Sequence, residues 1–165
     1  MNNEYIEELA ERVRRDLGLT SQNVNVDMNL VLDMLDITVN VDEFHEVEGS
    51  ITDGENGYEI TLSRFYDGSN RRDKFTLAHE LGHLFLHFDP NDPKRIFMRK
   101  GETEEEYQAN RFAAAFLMPQ DIFEETLDRY AVENKVDMSK VAADFGVSVE
   151  AARNRGRFLG YLSWN

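Results

Sequence analysis

Apolar residues recur at helical spacing from the start of the chain. Ile6, Leu9, Val13 and Leu17 share one face over residues 4–17, and Gly18 follows as a stop. Asp27 stands where it can cap a second, short helix to about Leu35. From Ile37 the period shifts to two: Ile37, Val39 and Val41 alternate with Thr38, Asn40 and Asp42, which predicts a strand. Val47 to Thr52 and Tyr58 to Leu62 flank Asp53-Gly54-Glu55-Asn56-Gly57, predicting a hairpin with a five-residue, glycine-rich turn. Asp67-Gly68-Ser69-Asn70 breaks the chain and caps a strong helix to about His87, closed by Asp89-Pro90. Residues 91–100 read as an ordered connection. Thr103 is placed to cap the next helix, which Pro119 stops after Met118. Three further helical stretches follow, over about 120–133, 137–145 and 148–160.

No repeat, low-complexity tract or flexible linker interrupts this order. The expected fold is α+β, with a small, mainly antiparallel sheet. One domain is expected over residues 1–165. N-terminal helices take 1–36, the sheet and central helices 37–119, and a helical segment 120–165.

Composition narrows the function. With 165 residues, the chain can bury a full core without staples. Eighteen lysines and arginines against 32 acids leave a net charge of −14, which argues against general binding of nucleic acid or anionic lipid. The start lacks an apolar leader, and the longest apolar run, Phe112 to Met118, is far below the roughly 20 residues of a membrane span. A cytoplasmic protein is therefore expected. The absence of cysteine removes disulfides, cysteine nucleophiles and thiolate metal sites together. Any metal must be held by histidine and carboxylate. Of the four histidines, His79, His83 and His87 fall together, and His45 stands apart.

The central helix carries His79-Glu80-Leu81-Gly82-His83, the zincin pattern. Residues four apart on a helix lie one turn up and about 40° around, so both imidazoles can reach one ion. Glu80, turned about 100° from His79, falls beside that ion instead of on it. There it can take a proton from an attacking water and later pass one to the leaving amine. Zinc lowers the pKa of such a water to about 7 and polarises the scissile carbonyl. The residues alone do not separate zinc from manganese or another divalent ion. His87 lies about 80° around and about 12 Å along the helix from His79, a poor third ligand. It is better suited to supporting a ligand or capping the helix. A carboxylate on a neighbouring helix is the expected third ligand. Glu105 and Glu106 lie on opposite shoulders of the apolar face formed by Ala109, Phe112, Ala113, Phe116 and Leu117, and periodicity does not choose between them. Thr103-x-x-Glu106 also fits a capping box, a purely structural use of the same acid.

Phe75 to His83, followed by Glu106-Tyr107-Gln108-Ala109-Asn110-Arg111-Phe112-Ala113 and Phe116-Leu117-Met118-Pro119, resembles the ImmA/IrrE family of metallo-endopeptidases. The resemblance implies a single zincin-like, gluzincin-type domain. It implies zinc ligation by His79, His83 and Glu106, with Glu80 as general base, and so chooses Glu106 over Glu105. Asn110, one turn from Glu106, is placed to support a ligand. Phe116 stands where family members often have leucine, a conservative departure. The resemblance further implies a protein substrate: a helix-turn-helix repressor of a phage, mobile element, toxin–antitoxin or stress locus, whose cleavage lifts repression. An extended substrate segment could add to the sheet edge beside the cleft. An acidic protease would also be steered toward a basic repressor.

Val141 to Ala152 resembles the turn of a helix-turn-helix, with Arg153, Arg155 and Arg157 following. Residues 139–165 carry four basic and two acidic groups, a local +2, small for a specific DNA-binding surface. A helical pair packed on the domain accounts for the same residues. The alternatives to a protease are therefore a DNA-binding protein acting through this segment and a metal-binding regulator that does not cut. His45 is expected to be exposed, and Trp164 to anchor packing. The donor for a developing oxyanion is open among His87, Arg111, Tyr58, Tyr66 and Tyr107.

Overall fold

The computed structural model describes residues 1–46, 49–65, 70–89, 91–92, 97–98 and 102–163. Helix α1 (Asn3–Asp16) starts where the Asn2 side chain accepts from the Tyr5 N–H, and it buries Ile6, Ala10 and Val13. Helix α2 (Met28–Met34) is capped by Asp27, whose carboxylate accepts from the N–H groups of Asn29 and Leu30. Both caps satisfy N–H groups that have no partner within the helix.

Strands β1 (Thr38–Val41), β2 (Gly49–Gly54) and β3 (Gly57–Leu62) form a sheet with β4 (Phe97–Met98), in the order β1-β3-β2-β4. β2 runs antiparallel to both β3 and β4, and β1 runs parallel to β3. The sheet is thus mainly antiparallel. Pairing continues to Gly54 opposite Gly57, so the hairpin turn is only Glu55-Asn56 and not the five residues expected. Small residues at both ends of that loop let the ladder run on. The expected first part of β2, Val47 and Glu48, lies outside the described residues, as do Tyr66 and Trp164. β4 pairs with Ser50 and Ile51, so the chain itself covers part of the sheet edge expected to be open to a peptide.

Helix α3 (Arg71–His87) runs beneath the sheet and is capped by Asn70, which accepts from the Arg72 and Asp73 N–H groups. Every residue from Thr76 to His83 is buried, so this helix is enclosed on all sides. Helix α4 (Glu104–Leu117), capped by Thr103, packs on α3 and in turn against α1. The stacked rings of Phe112 and Phe116, with centroids 5.8 Å apart, fill the layer between them. The result is a mixed α+β fold with the central helix between sheet and helices. No helix among the described residues is long and apolar enough to cross a membrane.

Two buried arginines fix the far end of α4. Arg14 donates from Nη1 to the Phe116 carbonyl at 2.8 Å, and Arg155 donates from Nε to the Met118 carbonyl at 2.9 Å. Both supply positive charge to carbonyls that a helix end leaves unpaired. Arg155 also pairs with both oxygens of Glu7, at 2.6 and 2.8 Å.

Helix α5 (Gln120–Arg129) ends earlier than its pattern suggested. Ala131–Val132 (β5) and Lys135–Val136 (β6) pair as a small hairpin across Glu133 and Asn134, which adopt φ of 50° and 63°. Two positive φ values favour a tight hairpin turn, and glutamate is an unusual residue to signal one. Helices α6 (Met138–Phe145) and α7 (Val149–Phe158) flank Gly146, which sits at φ 66°. A Cβ there would fall 2.4 Å from Asn25 Oδ1, so space as well as conformation requires glycine. This pair packs into the core through Val141, Phe145 and Ala152. Arg155 is internal, and Arg157 donates to the Ser163 carbonyl and Asn154. The helical-pair reading of this segment therefore fits better than a row of DNA-facing arginines.

Lys74 ties α3 to the end of α6, donating from Nζ to the Phe145 carbonyl at 2.6 Å and to Asn25 Oδ1 at 2.5 Å. Burial pushes its pKa down from 10.5 to about 8, with Asp27 pulling the other way. Below about pH 8 the folded and unfolded chains both hold the proton, and the folded state carries the full cost of a buried charge. Between about 8 and 10.5 the unfolded chain binds more protons, so stability rises with pH. Chemical denaturation from pH 7.5 to about 10 should show this rise relative to Lys74→Met. Parallel pH profiles for the two proteins would contradict it.

Candidate metal centre

The site begins with a glycine in the middle of a helix. A Cβ on Gly82 would lie 2.9 Å from both the Cα and the carbonyl oxygen of Ala109, and 3.2 Å from Phe112 Cβ. Helices α3 and α4 therefore touch backbone to backbone at this point. His83 follows Gly82 directly, and Glu106 precedes Ala109 by one turn. The contact thus sets one helix's carboxylate opposite the other's imidazoles.

His79, His83 and Glu106 each bring one ligand atom within 4.8 Å of the others, and all three are buried. Glu106 Oε2 lies 3.1 Å from His79 Nε2, and Glu106 Oε1 lies 2.9 Å from His83 Nε2. The two Nε2 atoms are 3.1 Å apart. Glu105, the other shoulder of the wheel, is not part of this group. The Glu106 N–H donates to Thr103 Oγ1 at 3.2 Å, so its backbone completes the cap while its carboxylate faces the histidines. The structural and chemical uses of this acid coexist.

The outer partners of the histidines specify where their protons sit. His79 Nδ1 lies 2.8 Å from Asn110 Oδ1, which can only accept, so His79 carries its proton there and presents a bare Nε2 inward. On the other side, Gln108 donates from Nε2 to Glu104 Oε1 at 3.0 Å, which orients its amide. Its oxygen therefore accepts from His87 Nε2 at 2.9 Å. A neutral His87 then accepts at Nδ1 from His83 Nδ1, 3.0 Å away, leaving the His83 Nε2 bare as well. Burial, then the neighbouring His79, pushes His83 down to about 3, keeping it neutral.

Two bare ring nitrogens and a carboxylate thus converge with no proton to share. Three acceptors this close repel one another unless a cation lies between them, and this is the protonation state that metal ligation requires. Nitrogen and oxygen donors suit zinc. The residues fit a divalent ion.

Glu80 is fully buried, on the side of α3 that faces the sheet. A Cβ on Gly49 would come 2.9 Å from Glu80 Oε1, so the absence of a side chain at the start of β2 makes room for this carboxylate. His45, expected to be exposed, is half-buried, and its Nε2 lies 2.9 Å from Ser50 Oγ next to Gly49. Of the expected oxyanion donors, His87 is engaged with His83 and Gln108. Arg111 donates to the Tyr107 hydroxyl, and Tyr58 meets Phe88 edge-on. Sequence reasoning passed over Gly49, Gly82 and Gln108. A glycine between two histidines, costing a helix interior about 1 kcal/mol, was the available sign of close packing.

The family model described as Peptidase_M78, IrrE N-terminal-like domain, matches residues 32–156, a span that includes all four residues of the expected site. Among solved structures, a Mycobacterium tuberculosis transcriptional regulator shares the fold, with a TM-score of 0.59 at 18% identity. The alignment covers 92% of this chain and 46% of that one, so this chain spans less than half of the regulator's length. No curated protein matches the chain.

The outer hydrogen bonds carry a direct consequence. Asn110→Ala and His87→Ala should each lower zinc affinity about 10- to 100-fold in chelator competition, with helical circular dichroism unchanged. Wild-type affinity in both variants would show that the tautomers are not set in this way.

Proposed function

Because this chain belongs to the Peptidase_M78, IrrE N-terminal-like domain family, we propose that it is a zinc-dependent endopeptidase. The observation that carries this reading is the convergence of His79 Nε2, His83 Nε2 and the Glu106 carboxylate, with Glu80 buried beside them. Zinc held by His79, His83 and Glu106 would supply a Lewis acid that polarises the scissile carbonyl and acidifies water. Every other task falls to the chain. Asn110 and His87 keep the two imidazoles turned inward. Glu80 takes the proton of the attacking water and delivers it to the leaving amine. Its carboxylate is enclosed where α3 faces the start of β2, in the room left by Gly49.

The substrate in this reading is a helix-turn-helix transcriptional repressor, cut at one site in the cytoplasm to lift repression. The net charge of −14 supports a basic protein partner, drawn in by long-range attraction. Direct action on DNA through α7 is the weaker reading, because Arg155 is spent inside the fold on Glu7 and Met118. A metal-binding regulator that works without cutting is separated from a protease by Glu80 alone.

The test is incubation of the zinc-loaded chain with the repressor encoded beside it, followed by intact-mass analysis. One cut should appear, vanish with chelator, and slow at least about 100-fold in Glu80→Gln, which should still bind zinc. A Glu80→Gln protein that cuts, or that relieves repression as well as wild type, would contradict a proteolytic role. Association with the repressor should weaken as salt rises, and salt-independent binding would contradict electrostatic steering.

A further inference from the structure

One end of the sheet carries residues that the chemistry above does not use. Val41, Leu62 and Gly49 stand in one row across β1, β3 and β2. A Cβ on Gly49 would come 2.9 Å from Glu80 Oε1, so the row starts at the buried glutamate. Neighbouring strands lie about 4.8 Å apart, which puts Val41 about 10 Å along the row from Gly49. The Asp42 N–H donates to the Leu62 carbonyl at 2.8 Å, and beyond this bond β1 and β3 part. Each then carries one phenylalanine outward, Phe44 two residues past Asp42 and Phe65 three residues past Leu62.

These are the two most exposed large apolar side chains among the described residues, at 93% and 81%. Val41 is exposed with them. Apolar residues exposed singly are ordinary, but two phenylalanines held out at one sheet end mark a contact surface. The turn that carries Phe44 is well tied. The Phe44 N–H donates to Asp42 Oδ1 and the His45 N–H to the Asp42 carbonyl, both at 3.0 Å. His45 Nε2 lies 2.9 Å from Ser50 Oγ, which joins the turn to β2. A backbone already fixed in this way loses little freedom when a partner covers its side chain.

Charge identifies the partner. Asp42, Glu43 and Glu46 are exposed around Phe44. The cation nearest to them in sequence, Arg64, is held by the buried carboxylate of Asp73 and leaves their charge in place. A second copy of the chain would set the same three acids against these, and an anionic membrane or nucleic acid would be repelled likewise. A basic segment with large apolar side chains matches both features of the surface.

We propose that Val41, Phe44 and Phe65, with Asp42, Glu43 and Glu46, form a docking surface for the protein substrate. Its occupant is a substrate segment in which lysines or arginines flank a leucine or aromatic side chain, outside the bond that is cut. The proposal rests on the endopeptidase reading and adds how its substrate is held. Contacts this far from the reacting atoms are the same before and during the reaction, so the surface lowers KM and leaves kcat unchanged.

Binding and cutting are measured separately. In the first arm, the zinc-loaded Glu80→Gln chain is titrated with acetyl-Lys-Arg-Leu-Trp-Lys-Arg-amide and followed by amide NMR. One control peptide replaces Leu-Trp with Ser-Ser, and another replaces the four basic residues with Glu. The basic, apolar peptide should bind about tenfold or more tightly than either, shifting signals of Val41, Phe44 and Phe65. Phe44→Ser with Phe65→Ser should remove its advantage over the serine peptide. Glu43→Gln with Glu46→Gln should reduce its advantage over the acidic one. All four side chains are exposed, and each pair of variants decides the matter where the other fails to fold. Equal binding of the three peptides, no binding, or shifts elsewhere on the surface would overturn the proposal. So would a wild-type dimer that Phe44→Ser dissociates, which would assign the surface to a second copy. In the second arm, zinc-loaded Phe44→Ser with Phe65→Ser is given the neighbouring repressor. KM should rise about tenfold or more, with kcat and zinc affinity as in the wild type. An unchanged KM, or a loss confined to kcat, would overturn the docking surface. Selective peptide binding with no cutting of any substrate would instead count against the endopeptidase reading and leave the docking surface standing.

Discussion

The close approach of α3 and α4 at Gly82 and Ala109 is the constraint on which this structure depends. Any side chain at position 82 would meet the backbone of Ala109 at 2.9 Å, a distance that forces a shift. With glycine there, the two helix axes come near enough for one carboxylate to stand within about 3 Å of two imidazoles on the other helix. A glycine costs a helix interior about 1 kcal/mol relative to alanine. The burial of Leu77, Leu81, Phe112 and Phe116 around it offsets that cost, at about 1.5–3 kcal/mol for each large apolar side chain.

The same helix pair has to be fixed lengthwise, and polar groups do that. Thr103 caps the start of α4, and Arg14 and Arg155 hold the carbonyls at its end. Asn70 caps α3, and Lys74 ties its first turn to α6. Glu106 therefore has little freedom to slide past His79 and His83. The outer bonds from Asn110 and through His87 to Gln108 and Glu104 then turn both rings so that only lone pairs point inward. Packing supplies the proximity and hydrogen bonding supplies the protonation state. Together they make a cluster of acceptors that is at rest only around a cation.

Much of this was legible in the residues. The pairing of two histidines four apart with an adjacent glutamate needs only helix geometry, and Asn70, Asp27, Thr103 and Ser148 announce their helices as capping residues. The choice between Glu105 and Glu106 was not a matter of periodicity. It depends on the angle at which α4 crosses α3, which the Gly82 contact sets. Elements held by few local preferences were missed for the same reason. β4 exists because β2 offers an edge, and β5 with β6 turns through Glu133, a residue with no strong turn preference. Arg155 looked like a surface cation among three arginines, yet it lies inside because Glu7, distant in sequence, waits for it.

The claim that α3 and α4 together build one metal centre is tested most directly by zinc K-edge X-ray absorption on the zinc-titrated chain. The account predicts one zinc with nitrogen and oxygen neighbours at about 2.0–2.1 Å and the outer-shell scattering of two imidazoles. Replacing Glu106 with Gln should change that first shell, and replacing Glu105 with Gln should not. A spectrum without two imidazoles, or one that Glu106→Gln leaves untouched, would contradict the centre described here.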